Sequence, residues 1–262
     1  MEKVSRVATP LVIGNWKMNG MLAASGKLTR ELVALLAEHA TCEVVVCPPF
    51  TALLSVAGVL SAAKIRLGAQ NGYPAEKGAF TGEVSMPMLR DLGCDYVLVG
   101  HSERRQHLGE DDGFIARKVR AAVESGLTPV LCVGESRAVR AAGESERHVL
   151  RQIELGLELL PSEASFVVAY EPVWAIGTSL AASAQDASAV LAAVKAWLCK
   201  ERGIREQAFR LLYGGSVTPE NIAEFTAQSE IDGALVGGAS LSAETFAAVV
   251  VGAARGYLCT SK

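Results

Sequence analysis

Short apolar runs recur along the whole chain, each closed by a polar or glycine-rich turn. The first half holds Leu11-Val12-Ile13, Val44-Val45-Val46, Ile65-Arg66-Leu67 and Tyr96-Val97-Leu98-Val99. The second half holds Val130-Leu131-Cys132-Val133, Phe166-Val167-Val168-Ala169, Arg210-Leu211-Leu212-Tyr213 and Ala234-Leu235-Val236. Runs this short and this rich in Val and Leu read as strands buried on both faces. Between them, helical patterns are expected over Leu22–Glu38, Phe114–Glu124, Ser145–Leu160, Ala184–Lys200 and Pro219–Ala227. The apolar stretch Phe246 to Ala254 reads as a buried helix, since a membrane span needs roughly 18 apolar residues. Eight strand–helix units in 262 residues come to about 33 residues each, the size of a strand with its crossover helix. Parallel strands require such crossovers.

With no break in composition, these units predict an α/β fold, a single (β/α)8 barrel over residues 1–262. The alternative, an open doubly wound sheet, would carry a GxGxxG turn after the first strand. That turn reads Gly14-Asn15-Trp16-Lys17-Met18-Asn19-Gly20 instead.

Composition narrows the function classes. Half the residues are apolar and the net charge is only −3, which excludes a disordered chain. Basic residues are scattered, with a pI near 5.9, so neither nucleic acid nor an anionic membrane is an expected partner. An anionic ligand would have to be held by local geometry. The N-terminus lacks the apolar centre of a signal peptide, and the six cysteines form no CxxC pair. The four histidines form no HxH or HExxH cluster, so no metal is expected. These features predict a cytoplasmic protein with reduced thiols.

Barrel chemistry sits where strands end. The polar residues there are Asn15 and Lys17, Gln70 and Asn71, His101 to Arg105, Gly134-Glu135, Glu171, Gly214-Gly215-Ser216 and Gly237-Gly238. Glu171 precedes Pro172, which pushes it into an extended conformation at the strand's mouth. A partly desolvated carboxylate there is a candidate general base, or a loop carboxylate in an ion pair. His101 stands at the start of what reads as a helix, whose positive end disfavours the imidazolium. It is either a neutral hydrogen-bond donor or an ordinary capping histidine. Lys17 could stabilise an oxyanion or phosphate, or be a solvated lysine. Gly214-Gly215-Ser216 and Gly237-Gly238 would let backbone N–H groups approach a phosphate, or would be turns needing positive φ. The apolar loop Pro172 to Thr178 contains Trp174 and is either a lid or a loop docked on the barrel rim.

Six segments in order carry a resemblance. They are Gly14 to Asn19, Ala79 to Glu83, Gly100 to Arg105, Tyr170 to Thr178, Tyr213 to Val217 and Val236 to Ser240. Over nearly its full length the chain resembles triosephosphate isomerase. The resemblance implies interconversion of D-glyceraldehyde 3-phosphate and dihydroxyacetone phosphate through an enediol(ate), with no metal or organic cofactor. It implies that Glu171 moves the proton between carbons and that neutral His101 polarises the carbonyl. It implies that Lys17 supplies positive charge, Asn15 orients the substrate oxygen and Glu103 sits near Lys17. Gly177, Ser216, Gly237 and Gly238 would hold the phosphate through backbone N–H groups.

The long connection from Gly72 to Glu83 shows no helical pattern. In the family this loop inserts into a neighbouring subunit, which implies a homodimer. Thr81 would then reach the partner's Asn15, and Glu83 the partner's Arg104. One segment departs from the family pattern. After Gly177-Thr178 the family commonly continues Gly-Lys-Thr-Ala, whereas this chain reads Ser179-Leu180-Ala181-Ala182. Cys132 is expected to be packing. Three other readings are weaker. A glycosidase would pair carboxylates among Glu103, Glu135 and Glu171, but strand 7 ends without one. A Schiff-base aldolase would want a strand lysine, and Lys64 lies at the far end of strand 3. A silent relative would lack one of Asn15, Lys17, His101 or Glu171, and all four are present.

Overall fold

A computed structural model describes residues 9–37, 41–161, 163–175 and 182–259. The eight apolar runs become β1 (Leu11–Asn15), β2 (Glu43–Cys47), β3 (Ile65–Ala69) and β4 (Tyr96–Val99), followed by β5 (Thr128–Val133), β6 (Phe166–Tyr170), β7 (Phe209–Gly215) and β8 (Gly233–Val236). They pair in parallel, each with the next in sequence, and β8 closes onto β1 with Leu11 opposite Gly233.

Alternation along the strands divides the core into two. Leu11, Ile13, Val45, Leu98, Val130, Val167, Ala169, Leu212 and Leu235 fill the barrel. The intervening residues, among them Val12, Val46, Val97, Val99 and Val168, pack outward against the helices. Every strand is therefore apolar at consecutive positions, because both of its faces leave water.

The helices run Leu22–Leu36, Asp112–Glu124, Ser145–Gly156, Ala184–Ala196, Ile222–Thr226 and Ala243–Cys259, near the expected positions. A single π turn, Trp197–Glu201, ends the helix that began at Ala184. The helix expected to start after His101 is Ser102–Leu108, and three further helices carry too weak a period to be read from sequence: Leu53–Leu60, Met86–Asp91 and Arg137–Ala141. Leu53–Leu60 is apolar nearly throughout, and the other two have six residues or fewer. Strand boundaries also shift. Asn15 is the last residue of β1 rather than a loop residue, and Gly214 and Gly215 stay in β7, paired with Leu235 and Val236.

The closed end of the barrel is an ion cluster. Inward counting from Val45 and Leu212 brings in Glu43 and Arg210, and these meet Arg66 and Tyr96. The Glu43 carboxylate accepts from Tyr96 Oη at 2.7 Å and forms ion pairs with Arg66 Nε at 3.0 Å and Arg210 Nη1 at 2.7 Å. Lys64 is exposed just before β3 at this same end, away from the mouth, which removes the aldolase reading.

Candidate active site

At the open end, strand parity decides which side chains enter the mouth. Val167 and Ala169 face the axis, so Glu171, two residues on, does too. The same count from Ile13 brings in Asn15, from Leu212 brings in Gly214 and from Leu235 brings in Gly237. Asn15, His101 and Glu171 are each 5% exposed, so three polar groups leave water together.

His101 Nε2 lies 3.2 Å from Glu171 Oε1. The Glu103 N–H, in the first turn of helix Ser102–Leu108, donates to Nδ1 at 3.3 Å. Nδ1 is therefore the acceptor, and the proton of the neutral ring sits on Nε2, facing the carboxylate. Burial pushes the imidazole down, but the charge and hydrogen bond of Glu171 prevail and hold it above its ordinary value. The other carboxylate oxygen, Oε2, is shielded from solvent and finds no nitrogen or oxygen donor among the described residues. Cys132 belongs to the barrel interior below, and burial together with the Glu171 charge pushes its thiol well above the usual range. It packs, as expected.

Lys17 has φ of 52°, the left-handed region that no other non-glycine among the described residues adopts. Three bonds hold it there. Its N–H donates to Asn15 Oδ1 at 3.0 Å, and its ammonium donates to Glu103 Oε1 at 2.6 Å. Its carbonyl accepts from Gln70 Nε2 at 2.8 Å, and the same amide donates to Cys47 O at 2.9 Å. Burial pushes the Glu103 carboxyl up, but the Lys17 hydrogen bond and nearby cations outweigh it and hold the group below its ordinary value. In the sequence Gln70 is one polar residue at a strand end, with no role attached to it. The signal was parity: Gly68 faces the axis, so Gln70 reaches the mouth.

None of the four glycines at the ends of β7 and β8 is required by a left-handed turn, and at Gly214 a close approach explains the residue. Gly214, Gly215, Gly237 and Gly238 all lie outside the positive-φ region. A Cβ on Gly214 would stand 2.7 Å from Glu171 Cγ, so this position keeps clear the space of the carboxylate side chain. A Cβ on Gly237 would stand 3.4 Å from Lys17 Cε, which places the β8 end directly against the lysine. Gly238 opens a short 3-10 turn to Leu241, and Ser216 follows β7 half-buried. Gly177 and Ser179 to Ala181 lie outside the described residues.

Trp174 docks on the rim. Its Nε1–H donates to Glu135 Oε1 at 2.8 Å, and Tyr170 Oη donates to the same oxygen at 3.2 Å. Glu135 is fully buried, with its Oε1 taken by Trp174 and Tyr170. Thr81 and Glu83 are exposed on the connection 72–83, which carries no helix and folds back with Tyr73 against Phe80, ring centroids 4.5 Å apart. Arg104 pairs with Glu110 at 2.6 Å within its own chain. Among the described residues, no helix is long and apolar enough to cross a membrane, and no cluster of three or more His, Cys, Asp or Glu could hold a metal ion.

A family model described as triosephosphate isomerase matches residues 10–253. The triosephosphate isomerase of Chloroflexus aurantiacus is 51% identical over 244 residues, covering 92% of this chain and 98% of that protein. That of Moorella thermoacetica is 51% identical over 246 residues, covering 92% and 97%. The crystal structure of triosephosphate isomerase from Bartonella henselae superposes with a TM-score of 0.84 at 35% identity, covering 93% of this chain and 98% of that one.

Proposed function

The chain belongs to the triosephosphate isomerase family, and on that premise we propose that Glu171 is the base of its reaction and His101 the group that exchanges protons with the substrate oxygens. The enzyme interconverts D-glyceraldehyde 3-phosphate and dihydroxyacetone phosphate, an isomerisation of glycolysis and gluconeogenesis. The chemical problem is removal of a proton from carbon beside a carbonyl, which builds negative charge on oxygen in the enediol(ate).

The contact of His101 Nε2 with Glu171 Oε1 carries this reading. It sets a carboxylate base and an N–H donor side by side in a shielded mouth, the spacing needed to serve adjacent carbon and oxygen atoms. Substrate entering between them would separate the carboxylate from the ring. The Glu103 N–H on Nδ1 then favours neutral imidazole. The Lys17 ammonium and the Asn15 amide stand beside the same space and would meet the developing oxyanion, where each donor is worth roughly 3–4 kcal/mol. The phosphate would lie over Ser216, Gly237 and Gly238, with Gly177 from the connection after Glu171, bound by backbone N–H groups.

A homodimer through the connection 72–83 belongs to the same reading. Residues 76–83 are exposed, and Met18, beside Lys17, is 96% exposed, which suits a face covered by a second copy. Thr81 would meet the partner's Asn15 and Glu83 the partner's Arg104. A solution mass of a single 27.5 kDa chain would overturn the dimer. The cytoplasm, where triose phosphates turn over, is the proposed compartment.

The deciding experiment converts D-glyceraldehyde 3-phosphate with the purified protein and with Glu171→Gln beside it. The parent turns over rapidly, and the variant loses at least ~10²-fold in kcat while remaining folded. Equal activity in the two proteins removes Glu171 from the role.

A further inference from the structure

Ser240 is fully buried beside the mouth, and the reaction chemistry gives it no task. It lies in the 3-10 turn Gly238–Leu241 that follows β8. Its Oγ–H donates to Gly237 O at 2.6 Å, and its backbone N–H donates to the same oxygen at 2.8 Å. The hydroxyl also stands 3.4 Å from Asn15 O, at the end of β1. A hydroxyl has one proton to give, and the shorter contact takes it. The serine packs against β1, since a Cβ added to Gly14 would stand only 3.0 Å from its own Cβ.

Two donors on one oxygen set the plane of the peptide that joins Gly237 to Gly238. Glycine has no side chain to restrict rotation about its own bonds, so hydrogen bonds must fix the direction of this peptide. The peptide is planar and trans, and its C=O and N–H therefore point in opposite directions. With the oxygen held by buried Ser240, the N–H is turned the other way, at Gly238, which is exposed. Gly238 is the first residue of its turn, so that N–H has no acceptor within it. A Cβ on Gly237 would stand 3.4 Å from Lys17 Cε, which puts the same peptide at the mouth.

We propose that Ser240 is a positioning residue for the isomerase reaction, its hydroxyl anchoring the Gly237 carbonyl and so aiming the Gly238 N–H at the substrate phosphate. The inference rests on the phosphate lying over Ser216, Gly237 and Gly238 as set out above. A hydrogen bond weakens steeply when its donor points off line, so the direction of the peptide decides how well it holds an anion. Loss of the hydroxyl leaves the Ser240 N–H in place, so the aim loosens without being lost. The phosphate is unchanged by the reaction, and a weaker hold on it appears in KM with kcat nearly preserved.

The test uses the full-length protein, with D-glyceraldehyde 3-phosphate as substrate and inorganic phosphate as competitive inhibitor. Inhibition of the parent checks the phosphate site first. If the parent is active but not inhibited, the phosphate reading fails and the inference falls with it. Ser240→Ala should raise KM and the inhibition constant of phosphate together, each by about threefold to tenfold, the scale of one hydrogen bond, with kcat within about twofold. Ser240→Cys keeps the volume but only a weak donor, should raise both constants by at least about twofold, and decides the matter if Ser240→Ala does not fold. Both constants unchanged in the folded variant, beside an inhibited parent, overturn the proposal. So does a loss of turnover with phosphate inhibition unchanged, which would assign the hydroxyl to Asn15 and β1 instead.

Discussion

His101 and Glu171 meet at 3.2 Å between Nε2 and Oε1, from strands that are not neighbours in the barrel, with both side chains nearly withdrawn from water. Neither β4 nor β6 alone makes this site. The pair exists because β5 lies between the two strands and their open ends converge on one axis.

The pair has a titration with a definite sign. His101 is held above its ordinary value of 6.5, against burial, by the Glu171 carboxylate. A base whose folded pKa is raised contributes stability that is fully present below the unfolded value and is lost as pH rises through the folded value. Glu171→Gln removes the charge that raises it, so the His101 pKa should fall. Imidazole resonances followed by NMR across pH should show this drop. An unchanged midpoint would mean that the carboxylate does not control the ring.

Gly214 should tolerate no side chain. A Cβ placed there would stand 2.7 Å from Glu171 Cγ, closer than real carbon contacts allow, so the base must move. A displacement near 1 Å costs on the order of 10² in rate. Gly214→Ala should therefore lose about 10²-fold in kcat while its melting temperature falls little. Full activity would show that the base has room to spare.

Gln70→Leu should act at a distance. The variant removes the amide that bonds both Lys17 O and Cys47 O and leaves Lys17 in a strained conformation with less support. Two lost hydrogen bonds of about 1 kcal/mol each predict a fall in kcat/KM of roughly tenfold or more. Steady-state kinetics over a triose phosphate series would measure it. A loss of stability with unchanged kcat/KM would assign Gln70 to folding only.

The barrel floor should set the acid limit. Burial raises the Glu43 carboxyl, but Tyr96, Arg210 and Arg66 outweigh it and hold the group below its ordinary value of 4.5. An acid with a depressed folded pKa contributes stability present above the unfolded value and lost as pH falls through the folded one. Melting temperatures from about pH 6 to about pH 3 should therefore fall less steeply in Glu43→Gln than in the parent. Parallel curves would remove Glu43 from the acid transition.

The barrel was legible along the chain because the strands are buried on both faces nearly throughout, Arg66 at the closed end excepted, and that burial writes itself as consecutive Val, Ile and Leu. Asn15 and Glu171 were legible as polar residues where such strands end, Glu171 also through the Pro172 that keeps it extended. In the folded barrel both continue the inward parity of Ile13 and Ala169. Strand-end position also brought His101, Lys17 and the glycine pairs into view, and motif order supplied their roles together with Glu103 and Gly177. What remained hidden was any relation that requires closure of the sheet. The purpose of Gly214 depends on Glu171 arriving from β6, and the strain at Lys17 depends on Gln70 arriving from β3. The contact of Ser240 with Asn15 O joins the turn after β8 to the end of β1, which no local pattern links. Local propensity and burial act on neighbours in the chain, so they determine strands, helices and the parity of their ends. Which ends touch is set by the parallel pairing of eight strands around one axis, and only that packing brings a base, a ring and a lysine from distant segments within hydrogen-bonding reach.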